Sequence, residues 1–260
     1  MEPEILYSRV DRNGAAWAEI TLNRPEKGNA ISARMLDQLE SAIGEIESDR
    51  SVRAVVLRAR GRFFCTGGDI EAWGALSPEE MARDWILRGI AVLQRLAALP
   101  QPVIASISGH AIGGGLELAM AADLRIAVRS AELSTPEVAL GMISGWMGVS
   151  RLAELAGVAR ARHLTLLGTP IRAEQAFKWG LITALAEDEA DLERQLSAWL
   201  DRLCANSGSA MALTKGILAT MHQDLRQHHA AAAAQAAGSP DCREGVRAFL
   251  EKRKPLFGKP

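Results

Sequence analysis

The sequence predicts an α/β fold followed by a helical C-terminal region, and three observations lead to this. Apolar strand-like runs alternate with amphipathic helix-like segments over most of the chain, which is typical of βα units with right-handed crossovers. From about Asp188 onward only helical spacing remains. The chain has 260 residues, of which 48% are hydrophobic, so it can bury a sizeable core in one large domain.

Capping and turn residues set the boundaries of the first elements. Ile5–Val10 and Ala15–Leu22 flank an Asn-Gly pair, which predicts a hairpin. Ser32 can cap a helix whose apolar residues recur every three or four positions. A capping box with proline at the first helical position, Ser77–Glu80, predicts a second helix that continues to about Leu99.

Later boundaries follow from proline, glycine and alanine. Pro100 and Pro102 end the second helix, and Gly238–Pro240 breaks the helical C-terminal region before its last helix. The further predicted strands are Arg53–Ala59, Val103–Ile107 and Leu124–Val128, and the further predicted helices are Ala190–Ala205, Ser209–His222 and the alanine-rich Ala230–Ala237.

Composition restricts the class of protein. The net charge is −1, so no basic field indicates a nucleic-acid partner. Cys65, Cys204 and Cys242 have spacings of neither a disulfide framework nor a metal site, and no HxxxH or HExxH pattern occurs, so we expect a reducing compartment and no metal. No run of 18 uncharged apolar residues and no apolar signal segment is present, so we expect a cytoplasmic protein without a membrane span.

The segment Gly109–Ala127 is the most informative part of the chain. Three consecutive glycines, Gly113–Gly115, open an apolar helix, and Glu117 lies in its first turn. Glycine allows close approach of the backbone, and a helix start offers unpaired N–H groups and a favourable dipole for negative charge. The segment can therefore hold an oxyanion, although a glycine-rich helix start with a dipole-complementing glutamate explains the same pattern.

Two further segments favour the oxyanion interpretation. Gly61–Asp69 follows the apolar run Val52–Ala59 and adds a second glycine turn that can present a backbone N–H. Ser134–Gly148 places another carboxylate, Glu137, directly after a proline and before a glycine-rich loop. Two donor turns and two carboxylates on apolar segments indicate chemistry on an acyl group.

These motifs resemble the crotonase family, the enoyl-CoA hydratase/isomerase superfamily. The resemblance runs nearly end to end, in the family's order, through NRPEKGNAIS, GRFFCTGGDIEAW, the glycine-rich helix start, TPEVALG and REGVRAFLEKRKPLFGK. It implies a crotonase-type spiral of ββα turns over residues 1–190 with the CoA-ester site, and a helical oligomerisation region over residues 191–260. It also implies a homo-oligomer, a trimer or a dimer of trimers.

The implied activity is addition of water across the 2,3 double bond of a 2-enoyl-CoA, in keeping with fatty acid β-oxidation. The family pattern places the oxyanion donors at the N–H groups of Gly68 and Gly114. Glu117 would orient and deprotonate the water, Glu137 would give a proton to C2, and the Gly145 amide would help to hold the water. Retention of both glutamates favours a hydratase over an isomerase.

The resemblance also implies a set of substrate contacts. Coenzyme A enters as part of the substrate, and no separate cofactor is implied. Some of these residues have an equally simple structural explanation. Asp69 can cap a helix, and Cys65 can be a packed residue that presents only its backbone. The basic residues can equally well be solvated surface charges. The implied contacts are Arg24, Lys27, Cys65, Thr66, Gly68, Asp69, Ile70, Gly114 and, from a neighbouring subunit, Phe257.

Three alternatives stay open at this stage: a double-bond isomerase or related enolate chemistry, a CoA-ester binder with little turnover, and an RNA-binding relative. The chain departs from the family pattern at Ser144, where proline is common, and at Trp146–Met147, where two glycines are common. Loss of proline allows the loop a different path, and Met147 adds a flexible side chain near the acyl pocket or the core behind it. These departures leave the acyl preference open.

Overall fold

A computed structural model describes residues 2–12, 15–219, 226–253 and 255 of the chain. The strands in the described part of the chain are β1 (Ile5–Arg12), β2 (Ala15–Leu22), β3 (Val52–Ala59), β4 (Phe63–Cys65), β5 (Val103–Ile107), β6 (His110–Ile112), β7 (Leu124–Val128), β8 (Glu132–Ser134), β9 (Ile171–Arg172) and β10 (Ala184–Ala186).

Helices connect these strands and make up the C-terminal region. Among the described residues, the helices are α1 (Ala33–Ser48), α2 (Ile70–Trp73), α3 (Pro78–Glu80), α4 (Arg88–Ala97), α5 (Gly114–Met120), α6 (Gly148–Ala156), α7 (Val158–Leu167), α8 (Ala173–Lys178), α9 (Glu189–Ala205), α10 (Gly208–Ala219), α11 (Arg226–Ala237) and α12 (Pro240–Leu250). A π-helical segment, Met81–Leu87, joins α3 to α4, and 3-10 turns occur at Pro25–Lys27 and Glu137–Leu140.

Two sheets organise the N-terminal part of the chain. The larger has the strand order β1-β2-β3-β5-β7-β10, parallel except for the β1–β2 pair. The smaller has the order β4-β6-β8-β9, parallel except for the β8–β9 pair. Each of the pairs β3/β4, β5/β6 and β7/β8 gives one strand to each sheet. Each later pair places its strands next to those of the pair before it, so both sheets grow in the same direction along the chain. The chain therefore winds as a spiral, which confirms the predicted α/β architecture.

Several local predictions are confirmed. The hydroxyl of Ser32 accepts a hydrogen bond from Met35 N at 3.0 Å, which satisfies a free donor at the start of α1. Ser77 and Glu80 form the reciprocal capping box. The alanine-rich run lies within α11, and α12 begins after the break. The Asn13–Gly14 turn and His222 lie outside the described residues.

The second predicted helix differs from expectation, because Met81–Leu87 is π-helical. The wider turn buries Met81, Trp85 and Ile86 together on one side. A π segment is rare and is often found at functional sites, and a 3.6-residue period does not predict it. Its physical consequence here is that Trp85 and Ile86 both reach the pocket described below.

One glycine of the triplet is required by packing. A Cβ atom on Gly115 would meet the carbonyl oxygen of Cys65 and lie 2.7 Å from the Cys65 Cβ, so β4 would have to move. We expect Gly115→Ala to lower the free energy of unfolding by about 1–3 kcal/mol, as overpacking against backbone does. Urea unfolding measures the change. Gly216, inside α10, is the matched control, because a Cβ built there meets no atom of the described residues within 4 Å outside its own helix backbone.

Gly216→Ala should be neutral or raise stability slightly, because alanine favours helix over glycine by about 0.5–1 kcal/mol. Equal unfolding midpoints for the two variants would contradict the packing explanation.

Candidate active site

The smaller sheet brings three separate motifs together. Its strands β4, β6 and β8 are parallel neighbours, so the residues that follow them leave the sheet at the same edge. Gly68 follows β4, Gly114 follows β6 and Glu137 follows β8. Gly113 N donates to Ser134 O at 2.8 Å, which fixes the last two loops against each other.

The N–H groups of Gly68 and Gly114 lie close together. A Cβ built on Gly114 would lie 3.3 Å from Gly68 N, and one built on Gly67 would lie 3.3 Å from Gly114 N. Gly67 has φ +105° and Gly113 has φ +53°, conformations that glycine adopts without steric cost. Within the described part of the chain, neither Gly68 N nor Gly114 N donates to another residue. The pair therefore provides two adjacent free donors for one oxygen atom.

Glu117 lies in the first turn of α5 and is 3% exposed. Its Oε1 accepts a hydrogen bond from Gly148 N, the first residue of α6, at 2.7 Å. The charge of Arg151, one turn further along α6, also favours the ionised form of Glu117. Helix α6 thus holds this carboxylate by its N-terminus and by a cation.

Glu137 has a different environment. Both of its carboxylate oxygens are buried, and no described residue forms a hydrogen bond of normal geometry with them. Ser144 lies near enough to lower its pKa in part, but burial dominates. One oxygen would lie 3.0 Å from a Cβ built on Gly113, so the carboxyl group faces the glycine triplet. A partnerless buried carboxyl group favours its protonated form.

The two glutamates have raised pKa values. Burial, and then repulsion from Glu137, raises the pKa of Glu117 to about 8, against the opposing effects of Gly148, Arg151 and Trp146. Burial raises the pKa of Glu137 to about 7. Repulsion disappears once Glu137 is protonated, whereas the bond from Gly148 and the charge of Arg151 remain. The two values alone would place the shared proton on Glu117, but the bond from Gly148 N and the charge of Arg151 persist after Glu137 is protonated, so we assign the charge to Glu117 and the proton to Glu137.

These groups face one cavity of about 100 Å³. Its apolar wall includes Trp85 and Ile86 from the π segment and Trp146 from the loop before α6. Gly145, the predicted water-holding residue, also lines it. Met147 does not line the cavity; its sulfur lies 3.2 Å from Gln94 Nε2 and packs behind the loop. The residue that departs from the family pattern and reaches the cavity is therefore Trp146.

The predicted CoA contacts divide into two groups. Thr66 and Ile70 line the cavity along with the oxyanion glycines. Arg24 forms an ion pair with Asp69 at 2.6 Å, and Asp69 caps α2 by accepting from Glu71 N. Lys27 lies at the surface, 3.6 Å from Glu71.

Cys65 and Phe257 complete the predicted contacts. Burial raises the pKa of the Cys65 thiol to about 12, and its sulfur lies 3.0 Å from Asn29 O, as expected for a packed residue. A neutral buried thiol is a poor nucleophile. Phe257 lies outside the described residues.

Residues that sequence reasoning did not assign to the site include Trp85 and Ile86, which line the cavity, and Gly148 and Arg151, which act on Glu117. The sequence signal for Gly148 and Arg151 was weak: a glycine at a helix start, followed by a cation one turn later. Both residues are at least 31 positions from Glu117 in the sequence, so their pairing with it was not recognisable. In the parts of the chain that the structure describes, no cluster of three metal-ligating side chains occurs and no helix is long and apolar enough to cross a membrane.

Comparison with known proteins gives a consistent result. The family model for enoyl-CoA hydratase/isomerase matches residues 12–260. A short-chain-enoyl-CoA hydratase of Clostridium acetobutylicum is 34% identical, with 91% of this chain and 92% of the relative covered. A 1,2-epoxyphenylacetyl-CoA isomerase of Escherichia coli is 36% identical, with 98% of each covered. The crystal structure of an enoyl-CoA hydratase from Mycobacterium avium has a TM-score of 0.85 at 29% identity, covering 98% of this chain and 99% of that one.

Proposed function

Because the chain belongs to the enoyl-CoA hydratase/isomerase family, we propose that it hydrates 2-enoyl-CoA thioesters to 3-hydroxyacyl-CoA. One observation carries the proposal. Two glutamates with buried carboxyl groups, one accepting from Gly148 N and one without a hydrogen-bond partner among the described residues, face the same cavity as two adjacent free N–H groups. Hydration needs this set: a base, an acid and an oxyanion site.

In the proposed reaction, the thioester carbonyl oxygen accepts hydrogen bonds from Gly68 N and Gly114 N. The Glu117 carboxylate takes a proton from water as the water oxygen bonds to C3. The electrons of the C2–C3 double bond move toward the thioester oxygen, which gains enolate charge. Glu137 then gives its proton to C2, and the product is the substrate plus one water. The proton on Glu117 returns to Glu137 through solvent exchange after release.

The two backbone N–H groups stabilise the transition state electrostatically. Negative charge develops on the thioester oxygen only in the transition state, so fixed donors stabilise that state more than the substrate. Loss of one such donor typically costs about 2.7–4 kcal/mol. Because both donors belong to the backbone at strand ends, they need no rearrangement when charge appears.

The test is incubation with crotonyl-CoA, measuring loss of the conjugated enoyl-thioester absorbance and the mass of the product. Hydration gives a product heavier by one water. A product of unchanged mass with a shifted double bond would replace the proposal with isomerisation. Saturable binding of crotonyl-CoA without any product would replace it with a CoA-ester binding role.

The coupled carboxyl pair predicts a bell-shaped pH dependence of kcat/KM. The active form holds one proton, so activity falls at low pH when Glu117 is protonated and at high pH when Glu137 loses its proton. Because both pKa values are raised, the maximum should lie near neutrality, well above the ordinary glutamate range of about 4.3. Residual activity of Glu137→Gln should lack the alkaline limb. A flat profile between pH 5 and 9 in the wild type would contradict this assignment.

We also propose a homo-oligomer, a trimer or a dimer of trimers. Large apolar side chains on the C-terminal helices support it, because Leu213, Leu218, Phe249 and Leu250 are 56–71% exposed in the single chain. The acyl-CoA substrate and a cytoplasmic location within fatty acid β-oxidation belong to the same proposal.

A further inference from the structure

We propose that Trp146, held against Trp85, closes the acyl end of the cavity and restricts the enzyme to short straight-chain 2-enoyl thioesters. This inference rests on the proposed hydration for its kinetic readout. It concerns the size of the acyl group, which the two carboxylates and the two donors leave open.

The first step is the place of the indole. Trp146 is 2% exposed and lines the cavity. A Cβ built on Gly114 would lie 3.0 Å from Trp146 Cζ3, so the six-membered ring is in contact with the second oxyanion donor. A carbonyl group bound by Gly114 N would therefore lie next to this ring, where the acyl chain begins.

The second step is that the indole is fixed. Trp146 Nε1 donates to Trp85 O at 3.1 Å, and the two ring centroids lie 5.2 Å apart with planes inclined by 45°. Gly89 leaves the space for the indole, since a Cβ there would overlap Nε1 and lie 2.6 Å from Cδ1. A buried tryptophan with its N–H paired and its ring packed forms a wall and not a movable lid.

The third step is the space that remains. The cavity is about 100 Å³, below the roughly 300–1,000 Å³ of pockets that bury drug-sized ligands. Ile86, Ile143 and a third indole, that of Trp73, belong to its apolar lining along with Trp85 and Trp146. A four-carbon enoyl group has a single methyl group beyond C3. A ten-carbon group has a longer chain beyond C3, which needs space that Trp146 and Trp85 occupy.

The experiment compares kcat/KM for crotonyl-CoA and trans-2-decenoyl-CoA. We expect the wild type to favour crotonyl-CoA by at least about tenfold, the lower end of what one poorly fitted methylene costs in a hydrophobic pocket. Trp146→Ala should raise the decenoyl-to-crotonyl ratio at least about tenfold, and Trp146→Leu should raise it less. Trp179→Ala is the matched control, because Trp179 packs against His163 and Arg160 outside the cavity, and its ratio should equal that of the wild type.

A wild type that hydrates both substrates equally well would overturn the inference, and so would an unchanged ratio in Trp146→Ala and Trp146→Leu. Binding of the saturated butyryl-CoA and decanoyl-CoA, measured by calorimetry, separates this inference from the reaction. Suppose that no enoyl-CoA is hydrated, but that the wild type binds butyryl-CoA at least tenfold more tightly than decanoyl-CoA and the Trp146 variants do not. Then only the proposed hydration fails, and the size restriction stands. Equal affinities of butyryl-CoA and decanoyl-CoA in the wild type and in both Trp146 variants would contradict the size restriction itself.

Discussion

Glu117→Gln should lower the rate of crotonyl-CoA hydration by about 10²–10⁴-fold, the usual contribution of a positioned general base. Glutamine keeps an oxygen that can accept from Gly148 N, so the fold around α6 should be preserved. It cannot take a proton from water. Glu137→Gln should cause a loss of similar size because it removes the proton donor to C2. The measurement is kcat and kcat/KM at the pH of maximum activity.

The control for Glu117→Gln is Glu189→Gln. Glu189 is likewise an acidic residue in the first turn of a helix, α9, but it is exposed and does not line the cavity. If Glu117 acted only on the helix dipole, both variants would lose a few tenths of a kcal/mol of stability and no activity. The double variant Glu117→Gln/Glu137→Gln should be scarcely slower than either single variant, since the two groups act in one reaction. Full activity in Glu117→Gln would exclude it as the base.

Gly148→Ala should reduce kcat/KM by about 10²-fold, because a displacement of about 1 Å at a reacting group has that cost. A Cβ on Gly148 would lie 2.5 Å from Glu117 Oε1 and 2.6 Å from Cγ, so the carboxylate has to move away from the N-terminus of α6. The move weakens the hydrogen bond from Gly148 N, and the pKa of Glu117 should rise. The acid limb of the pH profile should therefore shift to higher pH.

Gly44→Ala provides the comparison for this variant. Gly44 lies inside α1, where a Cβ would make ordinary contact with Arg95 at 3.5 Å, and we expect its pH profile to match the wild type. In the Glu117→Gln background, Gly148→Ala should have little further effect on rate, because its effect passes through Glu117. A full additional 10²-fold loss in that background would mean that the alanine disturbs the site by another route.

Local chemistry in the sequence predicted much of the fold. The Ser32 cap and the Ser77–Glu80 capping box depend on neighbours within one helical turn, so their residues are adjacent in sequence and easy to recognise. The π segment Met81–Leu87 was not predicted. Its residues Trp85 and Ile86 pack against Trp146 and Gly145, about 60 residues later in the chain, and no local rule encodes such contacts.

The candidate site likewise has a part that the sequence predicted and a part that it did not. Motif order indicated that Gly68, Gly114, Glu117 and Glu137 belong together, and the parallel strands of the smaller sheet bring them to one cavity. The bond from Gly148 N to Glu117 joins residues 31 apart and depends on how α6 docks on α5. The assignment of the proton within the pair depends on that bond and on burial, so the sequence alone could not make it.

The loop before α6 joins two properties that protein engineers would prefer to vary separately. Trp146 sets the length of the cavity, and Gly148, two residues later, holds the Glu117 carboxylate. A selection for longer acyl chains that alters the path of this loop will therefore reduce turnover at the same time. Ile86 lines the same cavity but belongs to the π-helical segment, so a substitution there changes the acyl space without replacing a residue that holds Glu117.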